Sequence, residues 1–236
     1  MRISYDLSSS KNLFTRVFKL STTDFSRIKS NLRDVYDDLA ECWGKEIAKP
    51  DWGLDELNDF VTLVKKSGGK KILDLGCGSG IQSKQLLQAG LEVIGLDLSP
   101  EMIRQAKKRI PKAKFIVGDM TKMDFPKESF DGVFAQASLL HIPKKLIPKV
   151  LRLIHRILKK NCVLYIAVKE GVGEREIIEE RLDRQIKRFF SFFTKNEIIN
   201  LLKEMKFEIL EAKRFRSKSS LGICKTVWLN VFARKI

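Results

Sequence analysis

Between Lys70 and Glu170 the sequence alternates between short apolar runs and longer amphipathic ones, and that alternation leaves few folds open. Lys70–Leu75 (KKILDL), Leu91–Asp97 (LEVIGLD), Lys114–Asp119 (KFIVGD), Phe130–Gln136 (FDGVFAQ) and Val163–Glu170 (VLYIAVKE) read as strands. Ile81–Ala89, Glu101–Arg109 and Lys145–Leu158 read as helices between them. Strands separated in this way specify a parallel sheet covered on both faces, with right-handed crossovers. Farther on, Phe207–Phe215 and Thr226–Ala233 are β-rich and joined only by a short basic link, which predicts an antiparallel pair.

The flanking segments read as helical. From Phe25, the apolar positions Ile28, Leu32, Val35, Tyr36, Leu39 and Trp43 recur at helical spacing, behind the N-cap types Thr22, Thr23 and Asp24. Leu13, Phe14, Val17 and Phe18 mark a shorter basic amphipathic piece, suited either to packing on its own domain or to resting on a membrane surface. Pro50 and the Asp51-Trp52-Gly53 turn then divide a helical cap over 1–50 from a main domain over 51–236, which opens with a helix at Asp55–Lys66. After Gly171-Val172-Gly173, the spacing of Ile177, Ile178, Leu182, Ile186 and Phe189 predicts an amphipathic helix over Glu174–Phe190, an inserted lid spanning 174–193. Thr194 caps a further helix over Lys195–Lys206. The expected architecture is α/β: a Rossmann-like, doubly wound, mostly parallel sheet with an N-terminal helical cap and an inserted helix.

Composition removes other classes. The longest apolar run, Cys162–Val168, is far short of the ~20 residues a membrane-spanning helix needs. The opening residues show no secretory pattern. Cys42, Cys77, Cys162 and Cys224 are scattered with no CxxC pair, which speaks against a disulfide scaffold, a zinc ribbon or an iron–sulfur cluster, and no metal site is expected. A reduced, cytoplasmic setting is the expectation. Among 236 residues, 45 Lys and Arg against 29 Asp and Glu give a net charge of +16, concentrated in 1–33, Lys144–Lys160 and Glu211–Ile236. Such a field attracts polyanions or acidic ligands, or serves solubility alone.

The most informative stretch is Leu73-Asp74-Leu75-Gly76-Cys77-Gly78-Ser79-Gly80, where the first sheet strand turns into its helix. Glycines there allow a sharp turn and let a ligand approach main-chain N–H groups. The dinucleotide pattern G-x-G-x-x-G would need glycine where Ile81 stands, and the Lys-Ser/Thr ending of a phosphate-binding loop is missing. Pyrophosphate is therefore not the favoured ligand. Asp97 closes the second strand, where a carboxylate can accept from both hydroxyls of a ribose. Asp119 closes the third, placed to accept from an exocyclic amine, with Leu98, Met102 and Met120 offering apolar surface to a purine.

With these residues in order, DLGCGSG, VIGLDLSPEMI, FIVGDM, FDGVFAQASLLHI and HRILKKNCVLYIAVKEG, the chain resembles the class I S-adenosylmethionine-dependent methyltransferases from about Tyr36 to Gly171. The resemblance implies a seven-stranded sheet with its last strand antiparallel, and S-adenosyl-L-methionine bound across the strand C-termini, leaving as S-adenosyl-L-homocysteine. By position it implies that Asp74, Gly76, Cys77 and Gly78 line the methionine and ribose portion and that Asp97 binds the ribose. Leu98 and Met102 would flank adenine, Asp119 and Met120 would meet its amine and edge, and Ala135 with Gln136 would meet the methionine ammonium. Tyr36 resembles an aromatic that closes over the cofactor. Asn161-Cys162 departs from the Gly-Gly common before the fifth strand, which alters a turn only.

Such a reaction asks the protein mainly to hold an acceptor atom in line with the leaving sulfur in a dry site. The N-terminal helix with Tyr36 and Trp43 and the 174–193 insertion are the expected lid. His141, after the fourth strand, is a candidate general base or else a structural histidine. Lys169 and Glu170, at the fifth strand tip, are candidates for substrate contact or a simple ion pair. The base-methylating tetrad is replaced by Gln136-Ala137-Ser138-Leu139, and no Pro-Cys pair supplies a cysteine nucleophile. The leading expectation is methyl transfer to O, N or C of a small molecule. An RNA or tRNA methyltransferase using the basic surface, and a cofactor-binding protein without catalysis, remain open beside it.

Overall fold

The computed structural model describes residues 25–43, 53–181, 184–218 and 224–236. The amphipathic piece at 13–18, the caps at 22–24 and the Pro50–Trp52 turn lie outside the described residues, so the 1–50 cap is seen only through its helix α1 (Phe25–Cys42). Next come α2 (Leu54–Lys66), β1 (Lys71–Leu75), α3 (Ile81–Gln88), β2 (Glu92–Asp97), α4 (Pro100–Arg109), β3 (Lys114–Val117), β4 (Phe130–Gln136), α5 (Ile147–Ile157) and β5 (Leu158–Lys169). The chain ends with β6 (Glu174–Arg181), β7 (Arg184–Ser191), α6 (Lys195–Glu204), β8 (Phe207–Lys218) and β9 (Cys224–Lys235).

Seven strands form one sheet in the order β3-β2-β1-β4-β5-β9-β8, parallel except for β9, which runs against both β5 and β8. The expected Rossmann-like sheet with an antiparallel last strand is what forms. Its central strands are buried on both faces, and each face has its own core. On one, Phe134, Tyr165 and Phe232 stand in register on β4, β5 and β9, with ring centroids 4.7 and 4.9 Å apart. Phe60 of α2 closes that stack at 5.2 Å from Phe134. Such aromatic neighbours add to the burial of their area. On the other face, α5 sets Val150, Leu151 and Ile154 against Leu73, Val133 and Leu164, all fully buried.

Local chemistry explains the helix starts. Ser99 caps α4 by accepting from the Met102 N–H at 3.0 Å, with Pro100 in the first turn. Thr194 and Glu197 form a reciprocal capping box at α6.

One element differs from the sequence expectation. The 174–193 insertion is not a helix: β6 and β7 pair antiparallel as a separate two-stranded ribbon. The apolar spacing suits a helix, but Ile177, Ile178, Phe189 and Phe190 are β-branched or aromatic types that favour a pleated surface. The strand register also brings acids of β6 to bases of β7 on the diagonal, Glu176 to Lys187 at 2.5 Å and Glu179 to Arg188. In that register Ile186, Arg188 and Phe190 share one face, and all three are buried. A lone ribbon is marginal in water, so packing must hold it. Ile28 and Leu32 of α1 form a small core with Phe189, and the Asn31 side chain donates to the Lys187 carbonyl at 2.8 Å. At its base, Ser191 donates to the Ile142 carbonyl at 2.7 Å. The ribbon and α1 therefore stand together as a roof over the C-terminal edge of the sheet.

Candidate active site

Under that roof lies a cavity of about 460 Å³, within the range of small-molecule sites. Its floor is the turn after β1. The Gly76 and Cys77 N–H groups donate to the Leu96 carbonyl at 2.7 and 3.1 Å, tying the turn to the end of β2. Gly76 holds φ +80°, and a Cβ there would come within 2.3 Å of the Ser138 Cβ, so only glycine fits. At Gly78, φ +50°, an added Cβ would meet nothing within 4 Å; the bare backbone borders open space.

Asp97 is fixed by two backbone donors, Gly78 N–H to one oxygen at 2.8 Å and Ser99 N–H to the other at 2.9 Å. Burial pushes its carboxyl above the usual range, and these N–H groups partly offset that. Asp74 sits one layer deeper, 3% exposed, accepting from the Ser83 hydroxyl at 2.5 Å. Burial raises its pKa to about 7, against the Ser83 hydrogen bond, and the nearby Asp97 charge adds to the rise. Asp119 caps a single 3₁₀ turn at Met120–Lys122 by accepting from Thr121 N–H at 2.8 Å, and pairs with Lys29 of α1 at 3.0 Å. Burial alone would raise its pKa, but the bonds from Thr121 and Lys29 outweigh it and hold the carboxyl below its ordinary value.

The opposite end is assembled from side chains of distant segments. Tyr36 Oη lies 2.7 Å from His141 Nε2, and His141 Nδ1 lies 2.7 Å from the Phe189 carbonyl. A carbonyl can only accept, so Nδ1 carries the proton and Nε2 accepts from the tyrosine. Arg188 donates to Tyr36 Oη at 2.8 Å and to Glu179. Burial pulls the His141 pKa down to about 3, helped by the positive charges of Arg188 and Lys169 and against the bond to Phe189. Burial likewise raises the Tyr36 hydroxyl, against the pull of Arg188. The Lys169 ammonium stands 3.9 Å from the Phe190 ring centroid and 3.9 Å from Glu179. Trp43 meets the Tyr36 ring edge-on at 5.3 Å.

Of the residues singled out in the sequence, Tyr36, Trp43, Gly76, Cys77, Gly78, Asp97, Leu98, Met102, Asp119, Met120, Gln136, His141 and Lys169 border the cavity. Three do not. Asp74 lies beneath the turn, Ala135 is fully buried inside β4, and Glu170 is taken by Arg214 of β8 at 2.7–2.9 Å. Sequence reasoning missed Lys29, Ser138, Glu179, Arg188 and Phe190, which also border it. Lys29 had a signal: Phe25, Lys29, Leu32, Tyr36 and Trp43 follow one another on one helical stripe. Arg188 had none until β7 was known to be a strand. Among the described residues, no group of His, Cys, Asp or Glu is placed to hold a metal ion, and no helix is long and apolar enough to cross a membrane.

Comparison with known proteins agrees with this geometry. The methyltransferase-domain family profile matches residues 72–161, which run from β1 into β5. An uncharacterized methyltransferase of Schizosaccharomyces pombe is 28% identical over 193 residues, 75% of this chain and 74% of that one. The demethylmenaquinone methyltransferase of Renibacterium salmoninarum is 38% identical over 94 residues, 39% of this chain and only 40% of the relative's length. Among solved structures, the 1,6-didemethyltoxoflavin-N1-methyltransferase of Burkholderia thailandensis, with bound 1,6-didemethyltoxoflavin and S-adenosylhomocysteine, superposes with a TM-score of 0.64. It is 21% identical, covering 93% of this chain and 92% of that one, so the likeness is one of fold. Together with the glycine turn and the strand-end carboxylates, these matches give the chain a class I S-adenosylmethionine-dependent methyltransferase domain over residues 72–161.

Proposed function

We propose that this protein methylates a small molecule held between the glycine turn and the roof formed by α1 and the β6–β7 ribbon. The observation that carries this is the covered far end of the cavity, where Tyr36, His141 and Arg188 join three separate segments through hydrogen bonds of 2.7–2.8 Å. A polymer would need an open groove at that place. The cofactor fits the floor: Gly78 leaves its backbone bare, and the buried Ser79 and Ser138 hydroxyls have no partner among the described residues, although buried polar groups seldom go unpaired.

S-adenosylmethionine supplies an electrophilic methyl group when bound, and the chain's own residues do the rest. Asp97, held rigid by Gly78 and Ser99, would accept from the ribose hydroxyls. Leu98, Met102 and Met120 would enclose the purine, with Asp119 at its amine. Gly76, Cys77, Gly78 and Gln136 would face the methionine portion, and Tyr36 would close over it. Asp74 would act at one remove, by pinning Ser83 and the turn above it. Trp43 and Lys169 would border the acceptor; Glu170, engaged by Arg214, would not.

His141 is better suited to positioning than to taking a proton. Its Nε2 is occupied by Tyr36, and with a pKa of about 3 it is a weak base at neutral pH. We assign it the task of orienting Tyr36, while exclusion of water and alignment of the acceptor supply the rate.

The test is release of S-adenosylhomocysteine from the purified chain against fractionated small metabolites, with total tRNA in parallel at rising salt. Turnover in the small-molecule fractions is expected. Turnover confined to tRNA, falling steeply with salt as phosphate contacts do, would replace the proposal with the RNA reading. Cofactor binding with no turnover in any arm would leave a binding protein.

A further inference from the structure

We infer that the methyl acceptor carries an oxyanion, a carboxylate or a phosphate on a flat apolar body, and that Arg188 is the residue that receives it. This rests on the small-molecule reading and names its substrate class.

Arg188 reaches the cavity from the middle of β7 and is only 4% exposed. Its two terminal nitrogens are used, one by Tyr36 at 2.8 Å and one by Glu179. The N–H of its third nitrogen, Nε, is buried and has no partner among the described residues. A guanidinium presents its five N–H bonds in a fixed fork suited to paired oxygens, so a buried, unused edge of that fork is a place for an acceptor atom. The local charges agree. Two cations, Arg188 and Lys169, border this end of the cavity, where an approaching oxyanion is favoured.

The walls fit the remainder of such a molecule. The Arg188 guanidinium lies 5.1 Å from the Phe190 centroid and 5.6 Å from that of Tyr36, and Trp43 and Trp228 border the same cavity. Flat aromatic surfaces beside an arginine fork match a planar acid better than a flexible cation. The net charge of +16 would draw such a ligand in from solution.

The experiment uses the full chain saturated with S-adenosylhomocysteine and titrates three probes that share one flat body, 2-naphthoate, 2-naphthyl phosphate and 2-naphthamide, by calorimetry. At least one anion is expected to bind about tenfold or more tightly than the neutral amide. The order of the two anions tells carboxylate from phosphate. Arg188→Met should abolish the preference, whereas Glu179→Gln, which relieves the guanidinium of its internal acid, should strengthen it. Lys112→Met makes the same change in net charge on the exposed surface and should leave it alone. If Arg188→Met does not fold, the Glu179→Gln and Lys112→Met arms decide. Equal binding of all three probes, a preference that survives Arg188→Met, an equal loss in Lys112→Met, or no binding of any naphthyl probe to the loaded protein would overturn the inference. Failure of S-adenosylhomocysteine itself to bind, seen in its own prior titration, would overturn the methyltransferase reading with it.

Discussion

The two ends of the cavity are built on different principles. At the glycine turn, almost everything is backbone: N–H groups of Gly76, Cys77, Gly78 and Ser99 hold neighbouring strand ends together and fix Asp97 between them. Loops that follow successive parallel strands arrive at one edge of the sheet whatever their side chains. At the roof, almost everything is side chain: Tyr36, His141 and Arg188 come from α1, the turn after β4, and the ribbon. On the proposed reading, the first end is a property of the fold and holds the cofactor, and the second is a property of this chain and selects the acceptor.

The sharpest way to break this division is Asp97→Ala. It removes the carboxylate proposed to hold the ribose and the acceptor for two backbone N–H groups. Hydrogen bonds to a charged group contribute about 1.5–3 kcal/mol each, so cofactor affinity is expected to fall about 100-fold. Calorimetry with S-adenosylhomocysteine measures it, and affinity within threefold of the wild type would mean the ribose is held elsewhere.

The two ends should also answer pH in opposite directions. Asp74 is raised in the folded protein to about 7, so its contribution is fully present below the unfolded carboxylate range and is lost as pH rises through about 7. His141 is lowered in the folded protein to about 3, so its contribution is present above 6.5 and is lost as pH falls from there toward 3. Asp74→Asn keeps the Ser83 contact without the charge. Its unfolding free energy relative to wild type should rise steadily between pH 4 and 7, by on the order of a few kcal/mol at most. His141→Gln should show its relative gain only on the acid side, between pH 6 and 4. Parallel curves for wild type and both variants would mean that neither group titrates as its burial dictates.

A smaller effect sharpens the boundary between the ends. Tyr36→Phe keeps the ring against Trp43 but deletes the hydroxyl that Arg188 and His141 share, leaving two buried groups short of a partner. The acceptor KM is expected to rise about tenfold, the size of one buried hydrogen bond, with cofactor affinity within twofold of the wild type. An equal loss for both ligands would show that the Tyr36 hydroxyl, and not only its ring, serves the cofactor as much as the acceptor, and the division would not hold.

The same contrast explains what the amino-acid sequence reveals. The strands, the helices between them and the glycine turn are legible because each is written in consecutive residues: a period of two, a period near 3.6, and glycines where the backbone must turn. Asp97 and Asp119 follow from standing at strand ends. The resemblance implies a cofactor contact for Asp74, which in the fold lies beneath the turn and accepts from Ser83. The roof is harder. Over 174–193 the apolar spacing satisfies a helix, and beyond its β-branched and aromatic types a ribbon is distinguished by the pairing of Glu176 and Glu179 with Lys187 and Arg188 between the two strands. That is information about two segments at once, and no local period contains it. Arg188 is invisible for the same reason, since a helix would have placed it among exposed bases.

Glu170 offers the mildest test, and one that bears on how far such positional reasoning reaches. It follows the last residue of the fifth strand, Lys169, and from the sequence the two are equal candidates for the acceptor. In the fold they part, as neighbours in a strand must: Lys169 turns to Phe190 and the cavity, Glu170 to the opposite side and Arg214. The Glu170–Arg214 pair is bidentate but open to solvent, where such pairs contribute little. Glu170→Ala is therefore expected to move Tm by no more than about 2 °C and to leave the acceptor KM unchanged, while Lys169→Met raises that KM. A KM that moved equally in both variants would mean that β5 delivers both of its last side chains to the acceptor, and that the cavity extends past the edge the Arg214 pair now marks.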